Sequence, residues 1–130
     1  MSMNDPLNNV LSKINNCEKI GKKECIVKPV SKIILNVLKI MKDEKYIKDI
    51  KKIEDNKGGF IKVDLIGKIN KCGVIKPRLS FKKEEFEKFE KRFLPAKDFG
   101  MLIISTNKGL ITHYKAKESK TGGRLIAYIY

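Results

Sequence analysis

Apolar positions along this chain switch between two periods, and the switches divide it into elements. Leu7, Val10, Leu11 and Ile14 recur three and four residues apart, which places them on one face of a helix. Asp5 is suited to cap that helix and Pro6 to fill its first turn, where the missing N–H has no partner to lose. The helix should end near Gly21. Residues 24–28 then read as a short strand stopped by Pro29, and Ser31 as the cap of a second helix carrying Ile33, Ile34, Val37, Leu38 and Met41. Two β-rich runs follow, 46–54 and 60–66, separated by Asp55, Asn56, Lys57, Gly58 and Gly59, whose chemistry suits a hairpin turn. In the first run Ile47, Ile50 and Ile53 lie three apart, a spacing that a helix would also satisfy. The β-branched content, the turn and the alternation of Ile61, Val63 and Leu65 favour strands.

Residues 67–80 contain Gly67, Gly73 and Pro77 among basic residues and read as a link between two halves. Beyond it, residues 84–93 form a helical pattern with Phe86, Phe89 and Phe93 on one face, expected to be core rather than a base-stacking platform. Leu94, Pro95, Phe99 and Gly100 lead into an apolar strand over 101–104, which delivers Ser105 and Thr106 to its C-terminal end. A helix is expected over 109–117 and a last strand over 125–130. The whole reads as an α+β chain of two small α/β subdomains packed together, 1–75 and 76–130. The first is helix–strand–helix–hairpin and the second helix–strand–loop–helix–strand.

Charge narrows the partner. The 130 residues hold 29 Lys and Arg against 15 Asp and Glu, a formal net charge of +14 with a pI near 9.7. Such an excess favours a polyanion. It is uneven: residues 62–83 carry seven cations and one anion, residues 84–93 three cations and four anions. A solvated Lys-rich surface is the plainer explanation, but Glu does not keep pace with Lys as it does where charge serves stability alone. The apolar runs are too short to span a bilayer, and the first residues lack the charged and apolar regions of a signal peptide. Cys17, Cys25 and Cys72 are odd in number and never spaced as CxxC, and His113 is the lone histidine, so neither a zinc site nor Cys-dependent catalysis is expected.

The most informative stretch is 105–124. Ser105, Thr106, Asn107, Lys108 and Gly109 precede the expected helix, and Thr121, Gly122, Gly123 and Arg124 follow it. If a helix began near Gly109, its unpaired amides would point outward beside these side chains, where an RNA phosphate fits. Hydroxyls and amides both donate and accept, so they can read a base edge or a ribose 2′-hydroxyl. Lys108, Lys115, Lys117, Lys120 and Arg124 would contact phosphates, and Gly122 and Gly123 would allow close backbone approach. Singly, each residue is better explained as a cap or a turn, and only their combination beside the net charge favours RNA. His113 is expected to pack or lie on the helix surface rather than act as an acid or base. No catalytic triad, phosphate-cradling glycine loop or dinucleotide fingerprint is present.

On these residues the chain resembles the small-subunit ribosomal protein S8 family over nearly its whole length. The family's Ser, Thr, any, any, Gly loop stands at Ser105 to Gly109, its Gly-Gly step at Gly122 and Gly123, and its Asp, Pro, Leu start at Asp5 to Leu7. The archaeal and eukaryotic branch is resembled at Ile14 to Asn16, Asn70 to Ile75, Pro77 and Arg78, Leu94 and Pro95, and Phe99 and Gly100. The bacterial form usually follows its loop with an acidic and arginine-containing helix start, where this chain has Thr112, His113, Tyr114 and Lys115. The resemblance implies a structural constituent of the small ribosomal subunit in the cytoplasm, with no enzymatic activity and no cofactor or metal. It implies direct binding to the central domain of small-subunit rRNA and a primary role in assembling the platform. Neighbouring ribosomal proteins would be partners, and by analogy the chain's own messenger RNA a further ligand. Arg78 joins the site on this basis, and Lys13, Asn16, Lys28 and Lys32 would touch a second rRNA region. A general basic nucleic-acid-binding module and, less well supported, a small RNA-processing enzyme are the alternatives.

Overall fold

The computed structural model describes residues 6–28, 30–76, 80–82, 85–96 and 99–130. The expected cap Asp5, the strand stop Pro29 and the site residue Arg78 lie outside them. The chain divides into two compact units, Met1–Cys72 and Gly73–Tyr130.

In the first unit, α1 (Pro6–Lys19) and α2 (Lys32–Asp43) accompany a three-stranded antiparallel sheet of β1 (Glu24–Val27), β2 (Ile47–Ile53) and β3 (Phe60–Leu65), in the order β1-β3-β2. The helices form where the spacing places them. Leu7, Val10, Leu11 and Ile14 are buried on α1, and Ile34, Val37, Leu38 and Met41 on α2. Ser31 caps α2, its hydroxyl accepting the Ile34 N–H at 3.3 Å. Ile61, Val63 and Leu65 line the buried face of β3. The spacing of three in β2 has a structural cause. The register jumps between Ile47 and Asp49, so Lys48 is extra, and Ile47 and Ile50 both come opposite buried residues, Leu65 and Val63. A β-bulge thus reconciles a helical spacing with a strand.

The second unit is built on a five-stranded sheet. Its strands are β4 (Cys72–Val74), β5 (Ser80–Phe81), β6 (Met101–Thr106), β7 (Gly109–Thr112) and β8 (Gly123–Ile129), ordered β4-β8-β6-β7 with β5 also paired to β8. Helix α3 (Phe86–Phe93) and the short α4 (His113–Ser119) complete it. Phe86 and Phe89 of α3 enter one core with Ile75, Leu94, Leu102, Ile104, Ala116 and Leu125, and Phe93 packs against it. The aromatic face of that helix is therefore core, as its spacing indicates.

The α+β class and the two subdomains agree with the sequence reading, and so does the element order of the first. Two expectations are corrected. The stretch 67–80 is not a plain link, because it contributes β4 and β5. Nor does a helix run over 109–117: residues 109–112 form β7, paired antiparallel to β6 from Thr106↔Gly109 to Ile103↔Thr112. Leu110, Ile111 and Thr112 favour an extended backbone and complete the β6 edge, and only then does Thr112 cap α4, its hydroxyl accepting the Lys115 N–H at 3.3 Å.

Candidate nucleic-acid interface

The β6–β7 connection turns the 105–109 stretch into the tip of a hairpin. Asn107 and Lys108 sit exposed at its apex. Gly109, at a φ of 109° in the region that favours glycine, receives the chain from the two-residue turn of Asn107 and Lys108 and pairs with Thr106. Thr106 builds this turn: its hydroxyl donates to the Gly109 carbonyl at 2.9 Å and accepts the Lys108 N–H at 3.1 Å. Both functions of that side chain are therefore engaged locally. Ser105 differs. It is half-buried, and among the described residues its hydroxyl has no hydrogen-bond partner, so it is open to a ligand.

Register sets what stands beside it. Arg124 on β8 is opposite Ser105 on β6 and, on its other side, opposite Ser80 on β5. Directly paired residues project from the same face of a sheet. Ser80, Arg124 and Ser105 thus form a row of hydroxyl, guanidinium and hydroxyl. Together with Thr106, Asn107, Gly122 and Gly123 they line an open groove of about 400 Å³. Ser80 was not singled out from the sequence. Its one signal was nearness to Arg78, and its role depends on a two-residue strand that no periodicity announces.

The second rim is the turn after α4. Lys120 takes the left-handed conformation, with φ of 53°, and its N–H closes onto the Ala116 and Lys117 carbonyls. The Thr121 N–H reaches the Ala116 carbonyl at 3.0 Å, and its hydroxyl lies 2.9 Å from that of Ser119. Gly123 has a reason within the fold besides the ligand approach expected of it. A Cβ there would lie 2.4 Å from the Ser105 carbonyl oxygen and 2.9 Å from Ile104 Cγ2, so the glycine lets β6 and β8 approach each other. Among the described residues Lys108, Lys115, Lys120 and Arg124 are exposed and make no ion pair.

Lys117, expected at a phosphate, is instead directed inward to Glu90 of α3, a carboxylate only 5% exposed. The amides expected at the loop are also relocated. The loop is a β-turn, and α4 begins four residues beyond Gly109. His113 is fully buried and accepts the Leu102 N–H at Nδ1, 2.9 Å away, which makes it a packing residue as the sequence suggested. Among the described residues no group of three or more His, Cys, Asp or Glu side chains gathers to hold a metal ion.

In the first unit Lys13 and Asn16 are exposed on α1, three residues apart, and Lys32 is exposed at the first position of α2. Lys28 lies 3.8 Å from Asp55. The N–H groups of Lys57 and Gly59 hold the Asp55 carboxyl below its usual range, with Lys28 a lesser cause. The structure thus brings Ser105, Thr106, Asn107, Gly122, Gly123 and Arg124 around one groove, with Lys108 and Gly109 completing the hairpin, Lys120 and Thr121 in the turn that leads to Gly122, and Lys115 on α4. Compared as a whole with protein families, residues 5–130 match the family model described as Ribosomal protein S8.

Proposed function

Starting from the fact that the chain belongs to the ribosomal protein S8 family, a structural, rRNA-binding family of the small ribosomal subunit, we propose that the groove between the 105–109 hairpin and the 121–124 turn grips a helical element in the central domain of small-subunit rRNA. In this reading the protein is a primary binder that helps to assemble the platform. The observation that carries it is the row Ser80, Arg124, Ser105, in which a guanidinium that makes no ion pair among the described residues stands between two hydroxyls across paired strands. Arg matches a phosphate bidentately, and the Ser105 hydroxyl can donate to or accept from a 2′-hydroxyl or base edge. Thr106 and Gly109 shape the hairpin rather than read RNA, while Asn107 and Lys108 offer an amide and a cation at its tip. Lys115, Lys120 and Arg124 supply salt-sensitive attraction.

Lys13, Asn16 and Lys32 are assigned to a second rRNA region and Arg78 to the first. Lys28 joins them at the small expense of its exposed pair with Asp55. Placement in the archaeal and eukaryotic branch rests on the resemblance at Ile14 to Asn16, Asn70 to Ile75, Pro77 and Arg78, Leu94 and Pro95, and Phe99 and Gly100. The chain's own messenger is included as a further RNA ligand, on the argument that a messenger repeating the same helical shape would enter the same groove.

The test is binding to a central-domain fragment, titrated with salt beside a shuffled RNA of equal length. Five cations at phosphates, Arg78, Lys108, Lys115, Lys120 and Arg124, give a log–log salt slope of about 3.5 to 4.5 in magnitude. A large preference for the fragment that survives added salt is expected. Equal, salt-labile binding to both would leave only a basic RNA-coating protein and end the claim for Ser105.

A further inference from the structure

Glu90 is the one buried acidic side chain among the described residues, set on α3 between core phenylalanines. A carboxylate there is strongly unfavourable unless paired. Two side chains of α4 meet it. Lys117 Nζ makes a direct ion pair with its Oε1, and His113 Nε2 lies 3.8 Å from the same oxygen. Because His113 Nδ1 accepts the Leu102 N–H, the proton of the neutral ring resides on Nε2, toward Glu90. Neither the charge pattern nor the RNA reading uses this cluster.

Its position gives it a use. Helix α4 has seven residues, too few to hold a shape without tertiary contacts. Its start is fixed by His113 and by the Tyr114 hydroxyl, which donates to the Gly100 carbonyl at 2.6 Å, and its middle by buried Ala116. Near its end the tie to α3 is Lys117. From Lys117 the chain runs directly into the groove rim: Lys120 and Thr121 close onto the Ala116 and Lys117 carbonyls, and Gly122 and Gly123 lead to Arg124. Lys117 is one-third exposed and long enough to reach water, so its retention by Glu90 restrains the helix end.

We propose that Glu90 is a positioning residue for the RNA groove: acting through Lys117, its carboxylate sets where α4 ends and so where the 119–123 turn and Arg124 stand against the 105–109 hairpin. This rests on the RNA reading above, and the test separates the two. Glu90→Gln keeps the volume and removes the charge, and Glu90→Gln with Lys117→Met leaves no unpaired charge. Each variant is measured for thermal melting, for affinity to the central-domain fragment and to shuffled RNA at one salt concentration, and for amide chemical shifts. Glu90→Gln is expected to stay folded, to lose preference for the fragment by about 2- to 30-fold, and not to lose affinity for shuffled RNA, since its net charge has become more positive. The amides of Thr121 to Arg124 should shift while those of Asn107 to Gly109 hold. If Glu90→Gln does not fold, the double variant is read by the same criteria. Wild-type preference with unmoved 121–124 amides in a folded variant overturns the proposal. If the unmodified protein shows no preference, the RNA reading falls and the positioning role with it, whatever the amides do.

Discussion

Gly123→Ala separates two reasons for a glycine beside the groove. The new Cβ would lie 2.4 Å from the Ser105 carbonyl oxygen, 2.9 Å from Ile104 Cγ2 and 3.3 Å from the Ser105 carbonyl carbon. The first contact decides the outcome, because a backbone carbonyl in mid-sheet cannot swing aside as a side-chain tip can. An ordinary contact begins near 3.4 Å, so β6 and β8 must part by about 1 Å in a close-packed interior. Overpacking of this kind costs about 1 to 3 kcal/mol, and weakening one ladder hydrogen bond adds about 1 kcal/mol. The total is about 2 to 4 kcal/mol, which at about 3 to 5 °C per kcal/mol lowers Tm by roughly 6 to 20 °C. Gly109→Ala is the control. Its Cβ would meet nothing within 4 Å, so only the strain of φ at 109° remains, about 1 to 3 kcal/mol. Melting followed by circular dichroism, with RNA affinity measured far below either Tm, gives the answer. If Gly123→Ala melts within about 2 °C of the parent yet loses RNA, the glycine serves the ligand's approach and the steric argument is wrong.

Ser105→Ala should leave Tm unchanged and weaken binding to the rRNA fragment by about 1 to 3 kcal/mol, whereas Thr106→Ala, which removes two turn hydrogen bonds, should lower Tm first; calorimetry and filter binding on both variants test this division. Lys120→Ala and Lys120→Gly each remove one cation and should flatten the salt slope by about one unit, but the glycine variant alone relieves the left-handed backbone and should be more stable than the alanine by roughly 1 kcal/mol; equal stabilities would contradict the cap. Lys117→Met should leave the salt slope intact and destabilise the fold by about 3 kcal/mol, because it strands the buried Glu90; an unchanged Tm would refute the pair. Burial raises both the Cys25 and the Cys72 thiol from 9.0 to about 12. The unfolded chain therefore releases these protons first, and the stability they contribute, complete below pH 9, is lost between pH 9 and about 12, at about 1.4 kcal/mol per pH unit for each thiol. Urea melts at pH 8 and 10 should differ more for the parent than for Cys25→Ala.

What could be read in advance was whatever a local period or a cap specifies. Helix α2 followed from Ser31 and a stripe of apolar residues, and β3 from strict alternation, because in both the buried face is written in consecutive residues. The bulge at Lys48 was not legible, since the spacing of Ile47 and Ile50 fits a helix until β3 is known to stand opposite. Nor was β7. Three residues between a glycine and a histidine carry too little pattern, and what makes them a strand with that glycine is the free edge of β6. The site divided in the same way. The hairpin 105–109 and the turn 121–124 were visible as residue types, but Ser80 enters the groove only through pairing with a strand 44 positions later in the chain, at Arg124. The inward turn of Lys117 depends on a carboxylate in another helix, which no spacing relates to it.

That last case bears on how charge should be counted. With 29 Lys and Arg in the chain, a sum of cations near the groove makes all of them equivalent. Four exposed or half-exposed pairs, Lys28–Asp55, Lys42–Asp49, Lys52–Glu54 and Lys62–Glu24, are worth about 0 to 1 kcal/mol each and exchange readily for a phosphate. Lys117 cannot be exchanged, because leaving Glu90 would strand a carboxylate away from water. Two lysines five residues apart, 115 and 120, face solvent, while the one between them is committed to the core. On the proposed reading, a polyanion would meet at α4 a cation pattern set by one buried acid, and the spacing of that pattern, more than the net charge of +14, would decide whether an RNA backbone of fixed phosphate geometry matches it.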